Sequence, residues 1–144
     1  MALTQDQTQD HVMKGRCLCG DISWEYTGEP TWNALCHCES CRRASSAPVL
    51  ACIGALRAQV TWTGTPAIYR SSPGVERLFC PRCGSPMAFR GEDFPDEIFL
   101  YAGSLEDPSQ YTPMLHTHHG ERVPWLDLAD NLPIIHGSNE EAKT

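Results

Sequence analysis

Eight cysteines in 144 residues carry the chemistry of this chain, and their spacing says more than their number. They fall as Cys17-x-Cys19, Cys36-x-Cys38-x-x-Cys41, a single Cys52, and Cys80-x-x-Cys83. Two sulfurs one or two residues apart can both face one ion from a tight turn. Zn–S bonds of about 2.3 Å then leave two corners of a tetrahedron for a second pair. Both outer pairs run into glycine, as Cys17-Leu-Cys19-Gly20 and Cys80-Pro-Arg-Cys83-Gly84. A glycine there suits a turn with positive φ whose backbone N–H groups approach thiolates. Pro81 presets φ at the first corner. Cys17, Cys19, Cys80 and Cys83 are therefore read as two knuckles of one zinc site. Even parity also permits disulfides, but no export signal is visible and a reducing compartment keeps thiols free.

The middle cluster has three sulfurs within six residues and no local fourth. A closed structural site takes four protein ligands, whereas a catalytic zinc commonly takes three and keeps one position for water or substrate. Cys36, Cys38 and Cys41 are the candidates for such an open site. Cys52 or a histidine could close it, but Cys52 lies in the apolar run 47–56, which favours packing. If the chain is extended at His37, its side chain points away from the face shared by Cys36 and Cys38. His37 is accordingly expected beside the site or at the surface rather than on the metal. His116, His118 and His119 could bind metal, and read first as a polar loop or strand end.

Composition removes several classes. The net charge is −7, against the basic face of a general nucleic-acid binder. The longest uncharged apolar stretch is ten residues, half of a membrane span, and holds Pro48. The polar start MALTQDQTQDHVMKG shows no secretory h-region. A cytoplasmic protein with neither nucleic-acid nor membrane partners is expected, of unknown oligomeric state. A hydrophobic share of 41% with 20% charged residues supports a folded domain.

The elements that must position these residues are short strands. Ile22, Trp24 and Tyr26 alternate with polar residues, and Val60 and Trp62 do the same. Residues 49–53 form a short continuous apolar run suited to a buried strand, and 97–102 (EIFLYA) reads as a strand. Residues 67–70, 75–79 and 87–90 read as strands, the last two flanking the second knuckle as a hairpin. Only Glu39 to Ser45 resembles a helix. The expectation is an all-β fold of several short antiparallel strands, stapled by zinc, over 14–137. Residues 1–13 are expected to form a flexible lead and 138–144 a tail.

Three segments carry a family resemblance: Gly15-Arg16-Cys17-Leu18-Cys19-Gly20, Cys36-His37-Cys38-Glu39-Ser40-Cys41-Arg42, and Phe79-Cys80-Pro81-Arg82-Cys83-Gly84. With Tyr101 to Pro108 and Val123-Pro124-Trp125-Leu126, the chain resembles the glutathione-dependent formaldehyde-activating enzymes, or CENP-V/GFA domains. The resemblance runs from about residue 14 to 136 and includes all seven ligand-type cysteines. It departs near Ser46, where glycine is expected, and Cys52 is additional.

The resemblance implies a β-tent fold. It implies two zinc sites: a structural zinc on Cys17, Cys19, Cys80 and Cys83, and a catalytic zinc on Cys36, Cys38 and Cys41, whose occupancy the sequence leaves open between partial and full. The implied activity is that of a carbon–sulfur lyase acting on adducts of glutathione, or another thiol, with small aldehydes, such as S-hydroxymethylglutathione. Arg42 and Arg43 are candidate contacts for the glutathione carboxylates. With both sites filled by zinc the net charge would approach about −10, so a local positive patch has work to do. The alternative is a zinc-stapled, non-catalytic binding module of the same fold. Methionine sulfoxide reduction is a weaker third reading, because such relatives pair CxxC knuckles.

Overall fold

The computed structural model describes residues 11–137. Ten strands and one short helix follow in the order β1 (Val12–Arg16), β2 (Ser23–Thr27), β3 (Trp32–Cys36), α1 (Glu39–Ser45), β4 (Leu50–Leu56), β5 (Val60–Thr63), β6 (Ala67–Ser72), β7 (Val75–Phe79), β8 (Pro86–Gly91), β9 (Glu97–Tyr101) and β10 (Leu115–Thr117). The fold is all-β, as expected. A three-stranded sheet has the order β1-β2-β5, and a seven-stranded sheet has the order β10-β3-β4-β9-β8-β7-β6. Neighbours are antiparallel except β10, which runs parallel to β3.

Two strands are buried on both faces, which explains their unbroken apolar runs. Side chains alternate across a strand. In β4, Ile53 and Ala55 enter one core, while Leu50 and Cys52 enter another. In β9, Ile98 and Leu100 join the first core, and Phe99 and Tyr101 the second. The first core is closed by Met13, Trp24 and Tyr26 of the small sheet, together with Cys17 and Cys80. The second contains Cys36 and Cys41 with Phe89, Phe94 and Trp32 packed against them. One pleat thus separates the two cysteine groups onto opposite faces of a single sheet.

Three strands, β1, β3 and β10, escape the sequence pattern. In β1, Gly15 interrupts the apolar alternation, yet the buried indole of Trp24 lies where its side chain would be. β3 sits between β10 and β4 and is mostly buried, so it shows no clean period of two. The strand β1 begins at Val12, inside the segment read as a lead; residues 1–10 and 138–144 lie outside the described residues. Ser46 ends α1 with φ 56, a left-handed conformation. That backbone explains why glycine suits this position and marks the departure from the family pattern as a local cost.

Candidate metal centres

The outer cysteines come together from two turns 60 residues apart. Their four sulfurs lie within 4.8 Å of one another. Cys17 and Cys19 sulfurs are 3.6 Å apart, and Cys19 and Cys80 sulfurs 3.7 Å. Bonds of about 2.3 Å in a tetrahedron place sulfurs about 3.8 Å apart, so the cage matches zinc or a similar thiolate-seeking ion. Backbone N–H groups converge on the sulfurs. Ile22 N donates to Cys17 Sγ at 3.3 Å, and the N–H groups of Arg82 and Cys83 donate to Cys80 Sγ at 3.3 and 3.4 Å. Both knuckle glycines take the positive φ their place suggested, 86° at Gly20 and 80° at Gly84. Arg82 reaches Asp21 at 3.2 Å and ties one knuckle to the other. Hydrogen bonds involving Ser85 hold the Cys83 thiol down at about 5, in the thiolate form that a metal requires.

The second cluster is built where β3 runs into α1. Cys36 ends the strand, Cys38 caps the helix by accepting from Cys41 N at 3.2 Å, and Cys41 lies one turn inside. The three sulfurs lie within 4.8 Å of one another, and among the described residues no fourth cysteine, histidine or carboxylate completes the group. Cys52 is buried in β4 and stands outside this donor set. The three thiols share their protons unequally. Hydrogen bonds from Cys36, then Cys41, hold Cys38 far below the usual thiol range. The same contact with Cys38 pushes Cys36 up to about 11. Contacts with Cys36 and Cys38 also push the Cys41 thiol up, so Cys38 gives up its proton first. Three soft sulfur donors in one group suit a thiolate-bound metal.

Arg77 is the residue that sequence reasoning missed. It leaves the middle of β7 on the face opposite Leu78 and enters the second core. Its Nη1 lies 3.8 Å from Cys41 Sγ and donates to Tyr101 Oη at 3.2 Å. Its guanidinium stands 5.2 Å from the centroid of Phe89. Burial opposes its charge, but Tyr101 and Cys41 outweigh that and keep it cationic. Burial likewise keeps the Tyr101 phenol protonated. A lone charged residue in a hairpin strand gives no local signal of such a place; the register Arg77↔Phe89 reveals it.

His37 is buried and lies off the sulfur cluster. Its Nε2 is 2.8 Å from His116 Nδ1, and His116 Nε2 is 2.9 Å from Asp130 Oδ2. With the carboxylate accepting from His116 Nε2–H, His116 Nδ1 accepts from His37 Nε2–H. The His37 backbone N–H also donates to Thr117 O at 3.1 Å. Burial, then repulsion by His116 and His119, pushes His37 down to about 4. The Leu132 backbone N–H, helped by His116, lowers the Asp130 carboxyl. This chain clamps the Cys36–Cys38 segment to β10. His116 therefore lies on a strand and in the interior. His118 is half-buried with φ 52 and pairs with Glu121 at 3.3 Å.

Arg42 and Arg43 lie on α1 beyond the cluster. Arg42 Nε donates to His37 O at 3.4 Å, and Arg43 pairs with Glu39 at 2.9 Å. Both line an open cleft of about 420 Å³ with Pro48, Val123 and the exposed Trp125. Another open cleft, of about 440 Å³, is lined by Arg16 and Cys17 together with Ser45, Leu50 and Tyr101.

The family model described as glutathione-dependent formaldehyde-activating enzyme matches residues 12–121. An uncharacterized lyase of Schizosaccharomyces pombe is 32% identical over 89 residues, covering 62% of this chain and 65% of that protein. The chain thus spans just under two thirds of this curated relative. The crystal structure of a Rhodobacter sphaeroides protein superposes with a TM-score of 0.56 at 22% identity, covering 68% of this chain and 94% of that one. At that identity the likeness concerns the fold. Among the described residues no helix is long and apolar enough to cross a membrane.

Proposed function

Because the chain belongs to the glutathione-dependent formaldehyde-activating enzyme family, we propose that it is a lyase-type enzyme that makes and breaks carbon–sulfur bonds between a small thiol and an aldehyde. Glutathione is the proposed thiol and S-hydroxymethylglutathione the simplest adduct. The observation that carries this reading is the sulfur trio of Cys36, Cys38 and Cys41, one donor short of a tetrahedron. In this reading Cys17, Cys19, Cys80 and Cys83 hold a structural zinc, and the trio holds a catalytic one. A zinc bound by the trio would supply Lewis acidity and favour the thiolate of an incoming thiol.

In the synthetic direction the thiol loses its proton and its sulfur bonds to the carbonyl carbon. The π pair moves to oxygen, which takes a proton, so the reaction is a redox-neutral addition. Cleavage is the reverse. The protein's part is to hold and orient. Cys36, Cys38 and Cys41 present their sulfurs from a helix start locked by the His37–His116–Asp130 chain. Arg77 places a buried positive charge beside Cys41, where anionic sulfur accumulates. The aromatic walls lower the local dielectric and strengthen that attraction. Arg42 and Arg43 are the proposed contacts for the tripeptide's carboxylates, at the rim of their cleft. Two thiolate-rich centres fit a reducing, cytoplasmic setting.

Native mass spectrometry with and without glutathione, paired with a formaldehyde-consumption assay, tests this. Two zinc ions per chain, glutathione retention and a rate above the spontaneous addition are expected. A Cys38→Ser variant should keep one zinc and lose the rate. One zinc in the wild-type chain with no rate would instead favour the binding module.

A further inference from the structure

The second core contains a cavity that formaldehyde does not explain. It measures about 130 Å³ and opens among Trp32, Phe89, Phe94 and Phe99, with Cys36 and Cys52 in its lining. Its walls are fixed by aromatic contacts. Phe89 stacks on Phe99 with centroids 4.8 Å apart, and Phe94 meets Phe99 edge-on at 5.6 Å. The pleat explains the arrangement. Phe89 and Phe99 are directly paired across β8 and β9, on the same face as Cys52 and Tyr101. The cavity therefore reaches the sulfur trio through Cys36. A dry apolar cavity of about 150 Å³ takes a benzene ring, and this one is slightly smaller. Formaldehyde has no substituent to fill such a space.

Its polar side is narrow. Thr117 and His118 contribute there, and His118 is held at φ 52. A non-glycine residue in that conformation costs energy that the surrounding structure must repay, and such residues gather at ligand sites. Here His118 lines the same cavity as the four aromatic side chains. The pocket thus offers one small apolar compartment, a sulfur at one side and a small polar edge.

We infer that this cavity is a binding site for an apolar, ring-sized group of the thiol–aldehyde adduct, beside the carbon that the trio acts on. This specificity rests on the lyase reading above, whereas the binding of a ring by the cavity can be measured without turnover. The group is a phenyl or a comparably bulky branched alkyl chain. It can arrive on the aldehyde or on the thiol, and the chemistry of the pocket is the same for both.

The test uses the zinc-loaded full-length protein and benzyl alcohol as an unreactive probe, with methanol as control. Saturable binding is expected for benzyl alcohol alone, with shifts in the aromatic carbon resonances of Phe89, Phe94 and Phe99. Phe94→Ala removes one wall from a loop position and should weaken the probe roughly three- to tenfold. Ala34→Leu extends a side chain from the cavity lining and should abolish binding. If Ala34→Leu does not fold, Phe94→Ala decides. No saturable binding, or binding indifferent to Phe94→Ala, overturns the site.

Two turnover arms then locate the ring. Phenylacetaldehyde with glutathione, or formaldehyde with benzyl mercaptan, should exceed formaldehyde with glutathione in kcat/KM. The arm that does so names the partner that brings the ring. If formaldehyde with glutathione is the best pair, the inferred substrate class is wrong although the lyase reading stands. If no pair reacts above the spontaneous rate, the lyase reading fails, and with it the substrate class. Probe binding would then still decide the cavity.

Discussion

Replacing Arg77 by methionine keeps a side chain of similar length and removes the charge beside Cys41. Three thiolates around a divalent ion carry a net −1, and Arg77 is the cation 3.8 Å from one of those sulfurs. At about 4 Å and an effective dielectric of about 20, the gross attraction is about 4 kcal/mol. Desolvating a guanidinium offsets part of this, and hydrogen bonds to Tyr101 and the ring of Phe89 recover some. Residues that contact metal ligands from outside typically account for about 10- to 100-fold in metal affinity. R77M should therefore weaken zinc at the trio by about 10- to 100-fold. The four-cysteine site, on the other side of the sheet, should be unchanged. Competition with a chromogenic chelator reads both sites as separate phases. Arg77→Lys keeps the charge without the planar fork and should fall between. If folded R77M holds both ions with wild-type affinity, the proposed compensation of sulfur charge by Arg77 is wrong.

Other outcomes follow from the same geometry. Cys80→Ser should remove the cross-link between the first turn and the β7–β8 hairpin, lowering the stability of the zinc-loaded protein by about 4 kcal/mol in urea, the loop-closure value for a link of this span. A loss below about 1 kcal/mol would show that the knuckles do not staple the fold. Gly15→Ala places a Cβ against the buried Trp24 indole and should cost about 1–3 kcal/mol, read as a lower thermal midpoint. Glu76, held by Arg90 and then Arg70, has its carboxyl lowered. Its stabilisation is complete above the ordinary carboxylate range and is lost as pH falls through the lowered value, because the unfolded chain protonates first. Glu76→Gln should flatten the acid limb of the stability–pH curve; an unchanged limb would exclude this contribution.

The cysteine sets were legible because metal ligation leaves a local trace. Pairs one or two residues apart, followed by glycine, encode a turn, and both glycines adopt the positive φ that the turn requires. The helix 39–45 and most strands were legible for a similar reason, since capping, periodicity and turn chemistry act over a few residues. The all-β class follows from that sum. The remote contacts left no such trace. Arg77 resembles any charge in a hairpin strand, and His116 resembles part of a polar run. Their partners are 36 and 79 residues away in sequence, at Cys41 and His37.

The sequence by itself determined which sulfurs can share an ion, the family and the strand-rich class, because turns and ligand spacing are short-range properties. Only the tertiary structure decided that the two sulfur groups occupy opposite faces of one sheet. It alone placed Arg77 and the aromatic rings beside the three-sulfur group, and His116 behind His37. The physical reason is register: pairing β8 with β9 and β4 with β9 fixes which alternate side chains meet, and no single strand contains that information.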